Sequence, residues 1–159
     1  QSKSVFDYFK TQERILKDNR PIIYRNSRYD KGEKVAALPE AVSKEWQNRE
    51  GPIVLATVDN EGNPNTIYAS CVRKFSEDTL VVADNFFHKT RANILAGSEG
   101  SLLFITKKGE SFQIKGRIEY YTDGEIFQDM KQWNPVKLPG HAAAALKVER
   151  VFSGAERLL

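Results

Sequence analysis

The residues with the clearest chemical potential are His88-Lys89-Thr90, which follow the turn Asp84-Asn85-Phe86-Phe87 within the stretch Thr79–Gly97. Before the turn, Leu80-Val81-Val82-Ala83 reads as a buried strand, and after it Ala92, Leu95 and Ala96 share one helical face. Gly97 supplies the left-handed residue on which such a helix stops. An ammonium and a hydroxyl are thus set at a helix start, where the first backbone N–H groups lack internal partners and the positive end of the dipole lies. Thr90 is the expected N-cap. The chemistry this suits is capture of an anion, a phosphate ester above all. On local sequence alone, Lys89 reads equally well as a solvated lysine at a helix start. His88 reads first as a helix-start or phosphate neighbour and only second as an acid–base catalyst.

Few other residue groups compete. A single cysteine, Cys71, excludes an internal disulfide and any multi-thiolate metal site, and two histidines, His88 and His141, are too few for a His-rich metal centre. No metal is expected, and a reducing cytoplasm is the expected compartment. Cys71, between Ser70 and Val72, reads as a buried thiol before it reads as a redox nucleophile. Asp59-Asn60-Glu61-Gly62 lacks the spaced ligands of a calcium loop and reads as a turn. The net charge of +3 is uneven: residues 1–35 carry nine basic and five acidic side chains, a local +4 that leaves −1 for the rest. Nucleic-acid affinity, if the chain has any, belongs to that leading segment. No apolar run approaches the roughly 20 residues needed to span a bilayer as a helix.

The elements that position these residues follow from periodicity and turn chemistry. A helix is expected over about residues 4–17, ended by Asn19-Arg20-Pro21, and then the run 22–32 mixes basic and aromatic residues. That run is either an arm packed on the domain or an RNA-binding strip. Pro39-Glu40 opens a second helix containing Val42 and Trp46, with Trp46, like Trp133, read first as a packing residue. Strands are expected over 53–58, about 65–75, and 79–83. Beyond the helix at 90–96, further strands run over 101–106, through Phe112, Ile114, Ile118 and Tyr120, and over 141–152. Gly116 interrupts the fifth of these and marks a bulge or a close backbone approach. Thr122 with Glu125 forms a capping box for a helix through Trp133 that stops at Asn134-Pro135. About six antiparallel strands with peripheral helices make a mainly β fold, a small closed or partly open barrel.

From about Leu38 to Leu158 the chain resembles the FMN-binding split barrels of the pyridoxamine 5'-phosphate oxidase-like superfamily. It is closer to the short flavin-binding members than to the true oxidase. The resemblance is carried by Ile53–Val58, Asp59–Asn63, Thr66–Val72, Val82-Ala83-Asp84-Asn85 and His88-Lys89-Thr90-Arg91-Ala92-Asn93. Phe112-Gln113-Ile114-Lys115-Gly116 and Leu146–Ala155 add to it. It implies a six-stranded antiparallel split β-barrel of Greek-key type over residues 38–159, preceded by an extension at 1–37. It further implies FMN bound at the interface of a homodimer. Lys89 and Thr90 would hold the phosphate. Tyr68, Ala69, Ser70, Cys71 and Val72, with Asp84, Asn85 and Phe86, would border the isoalloxazine ring. Gln113 would reach the ring edge, from the partner subunit. The element that holds pyridoxamine phosphate in the oxidase has no match beyond Arg157-Leu158-Leu159, so that substrate is not implied. The expected activity is oxidoreduction or electron transfer with a small partner, the flavin supplying the electron chemistry. Two alternatives stand beside it: a deazaflavin on the same barrel, or a non-enzymatic binding module with a basic N-terminal arm.

Overall fold

Helix α1 (Glu40–Glu45) continues into a 3-10 turn, Trp46–Asn48, that carries Trp46 into the core. There the indole meets Phe104 edge-to-face, with ring centroids 5.2 Å apart. The structure, a computed structural model, describes residues 36–159; the helix expected over 4–17 and the basic run at 22–32 lie outside the described residues. Strand β1 (Ile53–Val58) buries Ile53, Leu55 and Thr57 and turns Val54, Ala56 and Val58 outward, the period-two pattern of a sheet with one covered face. The turn at 59–63 is tied by Asp59, whose carboxylate accepts the N–H groups of Glu61 and Asn63. It returns the chain as β2 (Pro64–Ala69), paired antiparallel with β1.

The segment expected as one strand over 65–75 is broken at Ser70-Cys71 into β2 and β3 (Val72–Ser76). Strand β4 (Thr79–Asp84) follows and is buried at all six positions, because both of its faces are covered. After helix α2 (Lys89–Leu95) come β5 (Glu99–Ile105) and the eleven-residue β6 (Ser111–Tyr121). Helix α3 (Gly124–Trp133) leads to β7 (Ala142–Lys147), β8 (Arg150–Ser153) and a short β9 (Glu156–Arg157). The strand expected over 141–152 is therefore also divided, at Val148-Glu149. Two divisions and β9 account for nine strands where the sequence pattern suggests six.

Neighbouring strands run in the order β2-β1-β5-β6-β7-β4-β3, with β8 on β6 and β9 on β8. Strand β6 turns the sheet on itself: residues 111–117 pair with β5 and residues 118–121 with β7. Gly116 sits where the partner changes, and a Cβ there would lie 1.7 Å from the carbonyl oxygen of Lys147. The close approach expected of this glycine is thus met. The result is a curled antiparallel half-barrel filled by Leu55, Leu80, Val82, Leu102, Ile114 and Leu146. The alternate residues Val81, Ala83, Ala143 and Ala145 face outward under Met130 of α3. The run Ala142–Ala145 gives that helix a smooth surface against which to pack. Trp133 packs on this outer cluster, so both tryptophans are packing residues. Helix α3 starts after Asp123, not at Thr122, and no side chain caps it, so the expected capping box is not formed. Among the described residues no helix is long and apolar enough to cross a membrane.

Candidate functional site

The two outermost strands of the curled sheet, β2 and β3, are joined through Ser70-Cys71. The carbonyl of Cys71 accepts the N–H of Ala83 on β4 at 2.9 Å, which draws the seam against the start of the β4–α2 turn. Between seam and turn lies an open cavity of about 480 Å3. This is the size range of small-molecule and cofactor sites. Tyr68, Ala69, Ser70 and Cys71 line it from the seam, and Asn85, Phe86, Lys89 and Thr90 from the turn and α2. These eight expected site residues are brought together across a gap in sequence.

At one end the donors cluster. Helix α2 begins at Lys89 with His88 as its N-cap, so Thr90 is the second residue of the helix and not the cap. Its side chain is buried, and Oγ1 accepts a hydrogen bond from Asn65 Nδ2 at 2.9 Å. With that lone pair engaged, the hydroxyl proton is free to be donated into the cavity. Behind it, Asn93 Nδ2 donates to Thr57 Oγ1 at 3.0 Å, a buried tie between the helix and β1. Lys89 is exposed, and no carboxylate among the described residues pairs with it. The Lys89 ammonium and the Thr90 hydroxyl are the side-chain donors gathered here, while Asn65 Nδ2 is engaged by Thr90 and Thr57.

The turn between β4 and α2 is locked from beneath. Asp84 is fully buried; its Oδ2 accepts from Arg91 Nε at 2.6 Å and from the Tyr120 hydroxyl at 2.5 Å. Its Oδ1 accepts from Arg91 Nη2 at 2.9 Å and from the N–H of Phe87 at 3.0 Å. All the carboxylate's acceptor sites are thereby used. The bidentate bond to Asp84 raises the Arg91 pKa, against the opposing effect of burial. Burial pushes the Tyr120 phenol up, and its hydrogen bond to Asp84 adds to the shift. Asp84 therefore anchors the turn and does not line the cavity.

Two other expected residues stand elsewhere. Val72 is in the core. Gln113 pairs with Leu103 and Phe152 on the outer face of the sheet, away from this chain's cavity lining. Five lining residues were not singled out from sequence: Asn65, Ile67, Ala83, Phe87 and Leu138. Strand alternation could have found two of them, since Asn65 and Ile67 share a face with Ala69. Among the described residues no group of three or more His, Cys, Asp or Glu side chains could hold a metal ion.

The profile of the pyridoxamine 5'-phosphate oxidase family matches residues 38–153. The chain belongs to the pyridoxamine 5'-phosphate oxidase-like family of FMN-binding split barrels. The fold agrees with that placement. An FMN-binding protein from Syntrophomonas wolfei superimposes with a TM-score of 0.60 at 20% identity, over 74% of this chain and 97% of that one. HupZ of Group A Streptococcus gives a TM-score of 0.64 at 24% identity, over 73% of this chain and 93% of that one. An uncharacterised protein of Methanocaldococcus jannaschii is 26% identical over 127 residues, 77% of this chain and 84% of its own length.

The cavity fits the family's cofactor by the chemistry of its donors. Lys89 and Thr90 offer donors to an anion, with Asn65 orienting the Thr90 hydroxyl. The rest of the lining, with Ile67, Ala69, Ala83 and Phe87, offers an apolar bed for a planar ring.

Proposed function

We propose that this chain is an FMN flavoprotein acting in oxidoreduction or electron transfer on a small partner. The observation that carries the reading is one cavity lined at Lys89 and Thr90 by groups that can donate to an anion and elsewhere by apolar side chains. Lys89 Nζ neutralises the phosphate, and the Thr90 hydroxyl, aligned by Asn65, donates to it. Ile67, Ala69, Ala83 and the edges of Tyr68 and Phe86 border the isoalloxazine ring and keep water from it. The flavin, when bound, supplies one- or two-electron chemistry; the chain anchors it and sets the polarity around the ring. Native purification with the spectrum and mass of the released ligand tests this. Flavin absorbance with the mass of FMN is expected; a deazaflavin mass, or colourless protein that does not take up added FMN, overturns it.

The reading includes a homodimer with the cofactor at its interface. Supporting it is a row in cross-strand register over the outer face of the sheet: Tyr68, Val54, Leu103, Gln113 and Phe152. Tyr68 is 78% exposed and belongs to both the row and the cavity rim. A second copy seated on this face would cover exposed Leu103, Ile105 and Val58 and close the open side of the cavity. It would also give Gln113 a place at the partner's ring edge. Leu103→Arg is expected to yield a monomer by sedimentation with FMN affinity reduced at least tenfold. A dimer of unchanged affinity would remove this face from the interface.

A further inference from the structure

Leu138 is the one described cavity-lining residue that comes from outside residues 65–90. It lies in the connection from α3 to β7, Asn134 to His141, which carries two prolines and a fully exposed Val136. So little apolar burial would leave such a loop free to open locally. It is held instead by a pair of amides. Asn85 Nδ2 donates to Asn134 Oδ1 at 2.9 Å, and Asn134 Nδ2 returns a bond to Asn85 Oδ1 at 3.0 Å. The same Asn85 Oδ1 accepts the N–H of Gly140 at 2.9 Å. Both amides are buried. The loop closes on itself through Leu138 N–H to Pro135 O at 2.8 Å, and His141 N–H reaches Asp84 O at 2.8 Å. Gly140 has φ +53°, and a Cβ on it would meet Asn134 Nδ2 at 2.9 Å, so the clasp also needs a glycine there.

The hydrogen bonds of the Asn85 side chain are thus directed at the loop. We infer that Leu138 is a ring-contacting residue, and that Asn85, Asn134 and Gly140 are positioning residues whose clasp fixes it as one wall of the site. The inference rests on the flavin reading. An isobutyl group offers a phosphate nothing, so what it touches is the planar, apolar part of the ligand.

Two probes separate the ends of the site: FMN, and lumiflavin, which keeps the ring but has neither ribityl chain nor phosphate. The wild-type protein is expected to bind both. Leu138→Ala is expected to weaken both by the same factor, about tenfold, and to shift the visible bands of bound flavin toward those of free flavin. Asn134→Ala is expected to do the same. The double variant is expected to lose no more than either single variant, because the clasp acts through Leu138. Leu138→Ala leaves the clasp intact and changes a loop side chain, so it tests the inference even where Asn134→Ala fails to fold. Wild-type protein that binds neither probe removes the flavin reading and the inference with it. Wild-type binding left unchanged by Leu138→Ala, or a loss confined to FMN, overturns the inference and leaves the flavin reading standing. Additive losses in the double variant overturn the positioning role of the clasp.

Discussion

At one end of the cavity, Lys89 and Thr90 are neighbours in the chain, and the side chain that orients Thr90 belongs to a strand in contact with the helix that carries it. Elsewhere in the lining, Leu138 is delivered by a loop that is held by an amide pair 49 residues apart. Adjacent residues serve the two ends: Asp84 fastens the turn toward α2, while Asn85 fastens the loop before β7. The difference is one of tolerance. A charge on a flexible stem finds a phosphate over a range of positions, whereas a planar ring needs walls held to within about half an ångström. Hence a buried amide clasp holds the Leu138 loop, while at α2, beside a buried Asn93–Thr57 bond, the exposed cation is left without a carboxylate among the described residues.

The largest effect is expected where both ends depend on one residue. Asp84→Ala strips the acceptor from Arg91, Tyr120 and the Phe87 N–H. It should cost about 3 kcal/mol in urea unfolding, less than for a wholly buried pair because Arg91 is partly exposed. FMN and riboflavin should weaken together. A loss under about 1 kcal/mol would mean that the turn is held by something other than this cluster.

Lys89→Ala should separate the ends most cleanly. FMN binding falls roughly tenfold, the value of one charge-assisted contact, while riboflavin, which lacks the phosphate, binds as before. Unfolding should shift by no more than about 0.5 kcal/mol. Equal losses for both ligands would place Lys89 away from the phosphate.

The smallest effect is expected at Tyr120. Tyr120→Phe removes one hydrogen bond to Asp84, about 1 kcal/mol at neutral pH. Its alkaline behaviour is more telling. The folded phenol titrates above its ordinary 10.0, so the stability it contributes is fully present below about pH 10 and is lost as pH climbs from there toward the folded value. Wild-type protein should therefore lose stability above pH 10 more steeply than Tyr120→Phe. Parallel pH curves would show that the phenol is not coupled to folding.

What the sequence makes legible divides along the same line. Lys89 and Thr90 stand out because helix starts, turns and glycine stops are local features, and Gly97 does adopt φ +92° as the stop. Strand alternation is equally local, which is why the mainly β fold and the tight approach at Gly116 could be read in advance. The error at Thr90 is also local: His88 takes the cap position, and Thr90 stands two residues further in, with its hydroxyl beside Asn65. Asp84 and Asn85 are both expected beside the ring; Asn85 does line the cavity, with its amide bonded to Asn134, whereas Asp84 turns to Arg91 and is not in the lining. Pairings across 49 residues leave no periodic trace in a single chain. Leu138, in a stretch that reads only as a proline-rich connection, had no signal at all.

The central claim is that one cavity holds a phosphate at Lys89–Thr90 and a flavin ring at the seam, and titration of the wild-type protein with FMN and riboflavin tests it most directly. The expected result is saturable binding of both, with FMN tighter by roughly tenfold and the advantage shrinking as salt is raised. Equal affinities, or no binding of either, would contradict it.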